Sequence, residues 1–281
     1  MTEAPPARKL APMDDWNTES IGRAYREHGY VAPITAMSPA GAGECRRELE
    51  AVEQANDPEF IKGVLLSSSQ FVLQFAYDLI HNGKIVDAVR AVLGDDVMCW
   101  RAGFFIKEPG DAKFVSWHQD LHYWGLEGGE EVTAWLALSP STPESGCMRV
   151  VPGTHRVDRA KHRDTWADDN LLSRGQAIEA VDETQAVDLV LQPGQFSLHH
   201  GKTFHGSRPN TSNDRRIGYA IRYITPNMRQ TVAEKDWACL VAGRDRFGHF
   251  ESFPRPAGNL DPADMALRQT TLDVESQATY R

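Results

Sequence analysis

Ser116-Trp-His-Gln-Asp-Leu-His-Tyr-Trp124 is the stretch around which the rest of the chain arranges itself. It holds His118 and Asp120 one residue apart. In an extended strand alternate side chains share a face, so this imidazole and carboxylate can reach one point in space. Aimed together, they are two parts of the 2-His-1-carboxylate set that binds non-heme Fe(II) and leaves coordination positions open. The third ligand should be a histidine far along the chain. His205, within Thr203-Phe-His-Gly-Ser-Arg-Pro-Asn210, is the candidate. His122 competes with it, because it also alternates with His118 and Asp120. Arg216 lies eleven residues after His205 and opens a new strand.

Outward from this stretch the texture is that of a β-protein. Short runs rich in Val, Phe, Ile, Trp and Thr fall at 98–106, 114–117, 132–138, 148–151, 187–191, 195–198 and 217–224, with Pro and Gly between them. Strands at that spacing predict an antiparallel sandwich or barrel. A double-sheet jelly roll of the cupin type fits the count and puts a ligand site in the barrel mouth. The fold class expected is therefore mainly β with flanking helices. Before residue 95 the periodicity is helical. Thr18 caps a helix to about His28, Gly29 stops it, and Tyr30-Val31 turns into a short strand. Ser38 before Pro39 caps a second helix to about Ala55. Apolar residues at helical spacing between Phe71 and Leu93, broken at Asn82-Gly83, predict two more helices, with Gly94 at the end. These helices should pack outside one sheet.

The whole suits one domain in four parts. Residues 1–14, with Pro5, Pro6 and Pro12, read as a loose arm. Residues 15–95 form the helical part, 96–225 the jelly-roll core and 226–281 a tail. Trp237, Phe247, Phe250 and Phe253 should fold that tail back onto the core and against the pocket. The polar segment 156–186 is long for an insertion in a compact domain and reads as a lid.

Composition narrows the class. At 281 residues, 41% hydrophobic and 25% charged, the chain has the profile of an ordinary globular protein with ample length for a core. A net charge of −9 without a basic run argues against nucleic acid as a partner. Cys45, Cys99, Cys147 and Cys239 are scattered and include no Cys-x-x-Cys, so they read as buried reduced thiols. Neither an apolar signal region nor a bilayer-length run is present. The expectation is a cytoplasmic enzyme acting on a small molecule without a membrane; oligomeric state is left open.

His-Gln-Asp at 118–120, Trp135, Glu144-Ser-Gly-Cys147, Val151-Pro-Gly-Thr-His155, His205 and Arg216 come in the order found in one family. The chain resembles the phytanoyl-CoA dioxygenase family of Fe(II)/2-oxoglutarate oxygenases over roughly residues 18–225. The resemblance implies a double-stranded β-helix core, with His118, Asp120 and His205 as metal ligands. It also implies that Arg216 grips the distal carboxylate of the 2-oxoglutarate cosubstrate, with Ser207 beside it and Trp135 walling it. A guanidinium suits that task because it meets a carboxylate with two parallel hydrogen bonds. The family does not use His122 as a ligand, so His122 is read as lining the substrate pocket, against plain packing. The implied reaction consumes O2 and 2-oxoglutarate and yields succinate and CO2. Halogenating relatives replace the carboxylate ligand with a small residue; Asp120 is retained here, so hydroxylation is expected, with a dehydrogenating or ring-forming outcome left open.

Substrate contacts are less defined. Gln119 matches the family motif and reaches substrate only through a local bend. Arg222 shares a strand face with Arg216, Gly218 and Ala220; it either meets an anionic group or pairs with a structural acid. The small residues beside it should leave room in the barrel. Trp117, Tyr123 and Trp124 form an aromatic wall in this reading, and Lys107, Lys113 and Arg156 are contacts on flanking loops. Of the adjacent His199 and His200, either one points inward in support of the ligands or both are structural, as neighbouring histidines more often are. Two rival readings remain, a jelly-roll binding module without turnover and a cupin-type metalloenzyme that does not use 2-oxoglutarate.

Overall fold

A computed structural model describes residues 16–122, 124–157, 160–165, 169–172, 176–178 and 180–279. The expected arm at 1–14 and Tyr123 lie outside them. In the helical part, α1 (Thr18–His28) is capped by Asn17 rather than by Thr18. The Asn17 side chain accepts from the Ser20 amide at 2.9 Å, while the Ser20 hydroxyl accepts from the Asn17 amide at 3.0 Å. This reciprocal arrangement satisfies two amides that a helix start leaves open. Strand β1 (Tyr30–Thr35) follows, then α2 (Pro39–Gln54), capped by Ser38 as the sequence suggests. Asp57-Pro58 opens α3 (Pro58–Leu66), a helix the periodicity did not reveal. The expected break at Asn82-Gly83 separates α4 (Gln74–Ile80) from α5 (Gly83–Leu93).

The strands are β2 (Val97–Lys107), β3 (Val115–His118), β4 (Leu126–Glu127), β5 (Glu131–Ala137), β6 (Met148–Val150) and β7 (His162–Asp164). They continue with β8 (Gln176–Ile178), β9 (Val187–Asp188), β10 (Gln195–His199), β11 (His205–Ser207), β12 (Arg216–Ile224), β13 (Arg229–Gln230) and β14 (Cys239–Ala242). Two sheets make the jelly roll. The larger runs β1-β10-β5-β12-β2-β14 and the smaller β3-β11-β6-β9. Short pairs β13-β4 and β7-β8 flank them, the latter within the 156–186 insertion.

Alternation on β12 shows how the two faces are used. Ile217, Tyr219, Ile221 and Tyr223 point to the helices and join a core with Ile21, Leu49, Phe75, Ile85 and Val89. Full burial of one such aliphatic chain contributes roughly 1.5–3 kcal/mol. The two tyrosines also tie the layers together: the Tyr219 and Tyr223 hydroxyls donate to the Ala76 and Ile80 carbonyls at 3.2 and 2.9 Å. Arg216, Ala220 and Arg222, on the opposite face, line an interior cavity. Helices therefore brace the large sheet, and the site lies on its other side.

The tail packs back through Phe253, whose ring centroid is 4.1 Å from that of Phe71. It ends in an unforeseen helix, α6 (Pro262–Thr279). Phe247, by contrast, is 55% exposed, and no tail residue lines the cavity among the described residues. All four cysteines are free thiols. No helix among the described residues is long and apolar enough to cross a membrane.

Candidate active site

Strands β3 and β11 pair so that His118 and His205 stand opposite each other. Strand β3 ends at His118, and Asp120 begins a tight 3-10 turn, Asp120–His122. The convergence thus comes from a strand end and a turn, not from the regular alternation the sequence suggested. His118 Nε2 lies 3.3 Å and His205 Nε2 3.9 Å from Asp120 Oδ1. One ligand atom from each residue falls within 4.8 Å of the others.

Each imidazole is fixed from behind. His118 Nδ1 bonds the Ser116 carbonyl and His205 Nδ1 the Thr203 carbonyl, both at 2.9 Å. When a metal binds, a proton held at Nδ1 leaves the Nε2 lone pair free to take it. Burial, reinforced by His118, pushes His205 well below the ordinary histidine range. For Asp120 burial acts the other way, yet the His118 hydrogen bond and the Arg222 charge outweigh it and hold the carboxyl well below the usual carboxylate range. A neutral His205 and an ionised Asp120 are protonation states that suit metal ligands.

Arg216 sits on the first position of β12, 2% exposed. Its guanidinium stacks 5.2 Å from the Trp135 ring, and Nε and Nη2 have no partner. Buried donors are nearly always bonded, so these two mark a missing acceptor. Ser207 and Trp135 line the same cavity. Lys107 is not on a loop, as the sequence suggested; it ends β2, fully buried, and donates to Ser207 Oγ at 2.7 Å and to the Arg208 carbonyl. Burial, then the neighbouring Arg216 charge, pushes its ammonium down to about 6. Arg215 points the opposite way and is held by Glu53 and Glu108.

Several expected contacts belong elsewhere. Gln119 is 1% exposed and spent on the backbone, donating to the Lys202 carbonyl and accepting from the Ala160 amide, both at 2.9 Å. The chain's reversal after His118 sends that side chain away from the cavity. Trp124 lies beneath Arg222, with its ring 5.6 Å from the guanidinium and tilted on Trp100. Trp117 packs with Val151, Ile178 and Phe204. Lys113 pairs with Asp111, and Arg156 donates to the Arg26 carbonyl. The side chain of His122 falls outside what is described. Gly218 leaves no room in the barrel, because a Cβ there would sit inside the Trp135 indole. Ala220 and Arg222 do line the cavity.

His199 departs from the more common reading. His200 is structural, bonded to Glu131 at 2.9 Å, but His199 is 1% exposed and lines the cavity. Both its ring nitrogens are unpartnered, and Nε2 lies 4.0 Å from Asp120 Oδ2. A readable signal existed: Phe196 and Leu198 are the apolar members of β10, so His199 must face the other way with Ser197.

The phytanoyl-CoA dioxygenase (PhyH) family model matches residues 25–218. A probable alpha-ketoglutarate-dependent hypophosphite dioxygenase of Stutzerimonas stutzeri is 33% identical over 62% of this chain and 58% of its own length. Bovine peroxisomal phytanoyl-CoA dioxygenase is 27% identical over 72% of this chain and 67% of its own. Among solved structures, the non-heme monooxygenase ThoJ superposes with a TM-score of 0.80 at 30% identity, covering 92% of this chain and 97% of ThoJ. CytC3 with Fe(II) and alpha-ketoglutarate shares the fold at a TM-score of 0.61 and 24% identity, over 87% of this chain and 93% of its own.

Proposed function

The chain belongs to the phytanoyl-CoA dioxygenase family of Fe(II)- and 2-oxoglutarate-dependent oxygenases, and from that premise we propose that it hydroxylates an unactivated C–H bond of a small organic molecule. Succinate and CO2 are the co-products. His118 and His205 bind the metal through Nε2, and Asp120 supplies the carboxylate. Arg216 would take the distal carboxylate of 2-oxoglutarate as a fork, with Ser207 beside it and the Trp135 ring 5.2 Å from the guanidinium. The bound iron and cosubstrate supply the oxidising power; the chain orients them, excludes water and presents the C–H bond. Retention of Asp120 keeps the metal face closed to a halide and favours hydroxylation.

One observation carries this reading: the buried guanidinium of Arg216, with two unpartnered nitrogens, lines the same cavity as the His118, Asp120 and His205 cluster. A binding module that lacks turnover has no use for both. The cavity encloses about 70 Å³, and among the described residues its lining cations are Arg216 and Arg222. The named relatives span hypophosphite and a coenzyme A thioester. This lining supports a substrate nearer the small end.

The test is anaerobic addition of Fe(II) and 2-oxoglutarate, watching for the weak visible charge-transfer band of the chelate. Folded protein without that band would overturn the reading. His118→Ala or Asp120→Ala should abolish iron retention and turnover and leave the melting temperature of metal-free protein nearly unchanged. Arg216→Gln should retain iron and lose the band at 2-oxoglutarate concentrations that saturate the wild type. Unchanged turnover in that variant would point instead to a metalloenzyme independent of the keto acid.

A further inference from the structure

Three polar side chains cross the inner face of the large sheet in one row. Thr133 on β5 is the register partner of His199 on β10 and of Arg222 on β12. All three line the cavity, and Thr133 and His199 are each 1% exposed. Thr133 Oγ1, both ring nitrogens of His199 and Nε of Arg222 have no hydrogen-bond partner. Unpartnered buried groups are rare singly, and here they share a row and a cavity. Arg101, the register partner of Arg222 on β2, shows the contrast: Asp236 takes its charge at 2.5 Å. Among the described residues no carboxylate lies within ion-pair distance of Arg222, which rests on the Trp124 face.

The row is distinct from the keto-acid end. Arg216 and Arg222 face the same way on β12 six residues apart, about 20 Å along an extended strand. The His199 edge of the row adjoins Asp120, so its occupant would lie beside the metal ligands.

We propose that His199, Thr133 and Arg222 form a second anion seat, which holds the head group of the substrate: a small molecule ending in a carboxylate or a phosphorus oxyanion. Arg222 offers the planar fork, while the His199 N–H and the Thr133 hydroxyl donate from the neighbouring strands. Thr133, the shortest, is the floor, with imidazole and guanidinium on either side. The seat rests on the oxygenase reading in that 2-oxoglutarate occupies the Arg216 end.

Calorimetry on Ni(II)-loaded protein, which does not turn over, tests it. Binding of 2-oxoglutarate to the wild type is measured first; its failure sinks the oxygenase reading itself. With 2-oxoglutarate saturating, n-propylphosphonate, butyrate and n-butanol are then titrated. At least one anion should bind the preformed complex, and the alcohol should not. Phosphonate binding tighter than butyrate identifies a phosphorus head group, and the reverse order a carboxylate. Arg222→Gln should weaken the anion at least about tenfold, the scale of a lost charge-assisted pair, and shift 2-oxoglutarate by less than about twofold. Thr133→Val should weaken the anion alone. With keto-acid binding intact, the seat is overturned if neither anion binds, if the anions displace 2-oxoglutarate, if butanol binds as well, or if Arg222→Gln binds them like the wild type.

Discussion

Burial of Lys107 beneath the keto-acid end couples folding to pH. The ammonium's folded value of about 6 lies below its ordinary 10.5, so between those values the unfolded chain holds a proton that the folded chain does not. Stability contributed by this site therefore rises with pH across that window and falls as pH drops towards 6. Urea midpoints between pH 6 and 9 should climb more steeply for the wild type than for Lys107→Met. Equal slopes would mean that the amine keeps its proton in the fold. Gly218→Ala is a second residue-scale case. A methyl group inside the Trp135 indole should cost about 1–3 kcal/mol through overpacking, read as a lowered denaturation midpoint. Legibility at this scale was uneven. His118, Asp120, His205 and Arg216 could be paired from residue type and order, and the structure brings them to one cavity. Gln119 could not be placed, because the motif gives its identity and only the chain's reversal decides its side.

At the scale of elements, β12 was legible because one face is apolar throughout and the other carries arginines and small residues. Helix α3 was not, although Asp57-Pro58 repeats the signal of Ser38-Pro39. Its buried residues Ile61, Val64 and Leu65 do fall at helical spacing, but nine residues hold only one such repeat, too short to stand out as a pattern. The Asp57 carboxylate accepts from the Glu59 and Phe60 amides at 3.1 and 3.0 Å, which is why the helix starts there. Strand β2 meets the chain before β14 through a buried ion pair that no pattern announces. Asp236 accepts from Arg101 at 2.5 Å, from Trp100 Nε1 at 2.7 Å and from Gln230 at 3.1 Å. Asp236→Ala leaves the Arg101 charge buried without its counterion and should destabilise by about 3–5 kcal/mol. Chemical denaturation would check it; a loss under about 1 kcal/mol would mean that water reaches Arg101.

Across the whole molecule, the cavity draws on both sheets. His118 and His205 come from the small sheet, and Arg216, Trp135 and the His199 row from the large one. The jelly roll could be expected from strand count, but this division could not, since it depends on which strands pair across a long chain separation. Ligands that touch both sheets should stabilise the fold as a unit. At a hundred times its dissociation constant, a ligand adds about 2.7 kcal/mol, or about 5 °C in melting temperature for a chain of this length. Metal and 2-oxoglutarate should each give such an increment in a thermal scan. Arg216→Gln should keep the first and lose the second.

The helical layer lies against the large sheet, while two of the three candidate ligands hang from the small one. The metal-holding imidazoles are therefore borne apart from the braced layer, and a chelator that empties the centre should take away catalysis and leave the architecture standing. A preparation stripped of iron during purification should then regain turnover on adding reductant and fresh ferrous salt, without a refolding step.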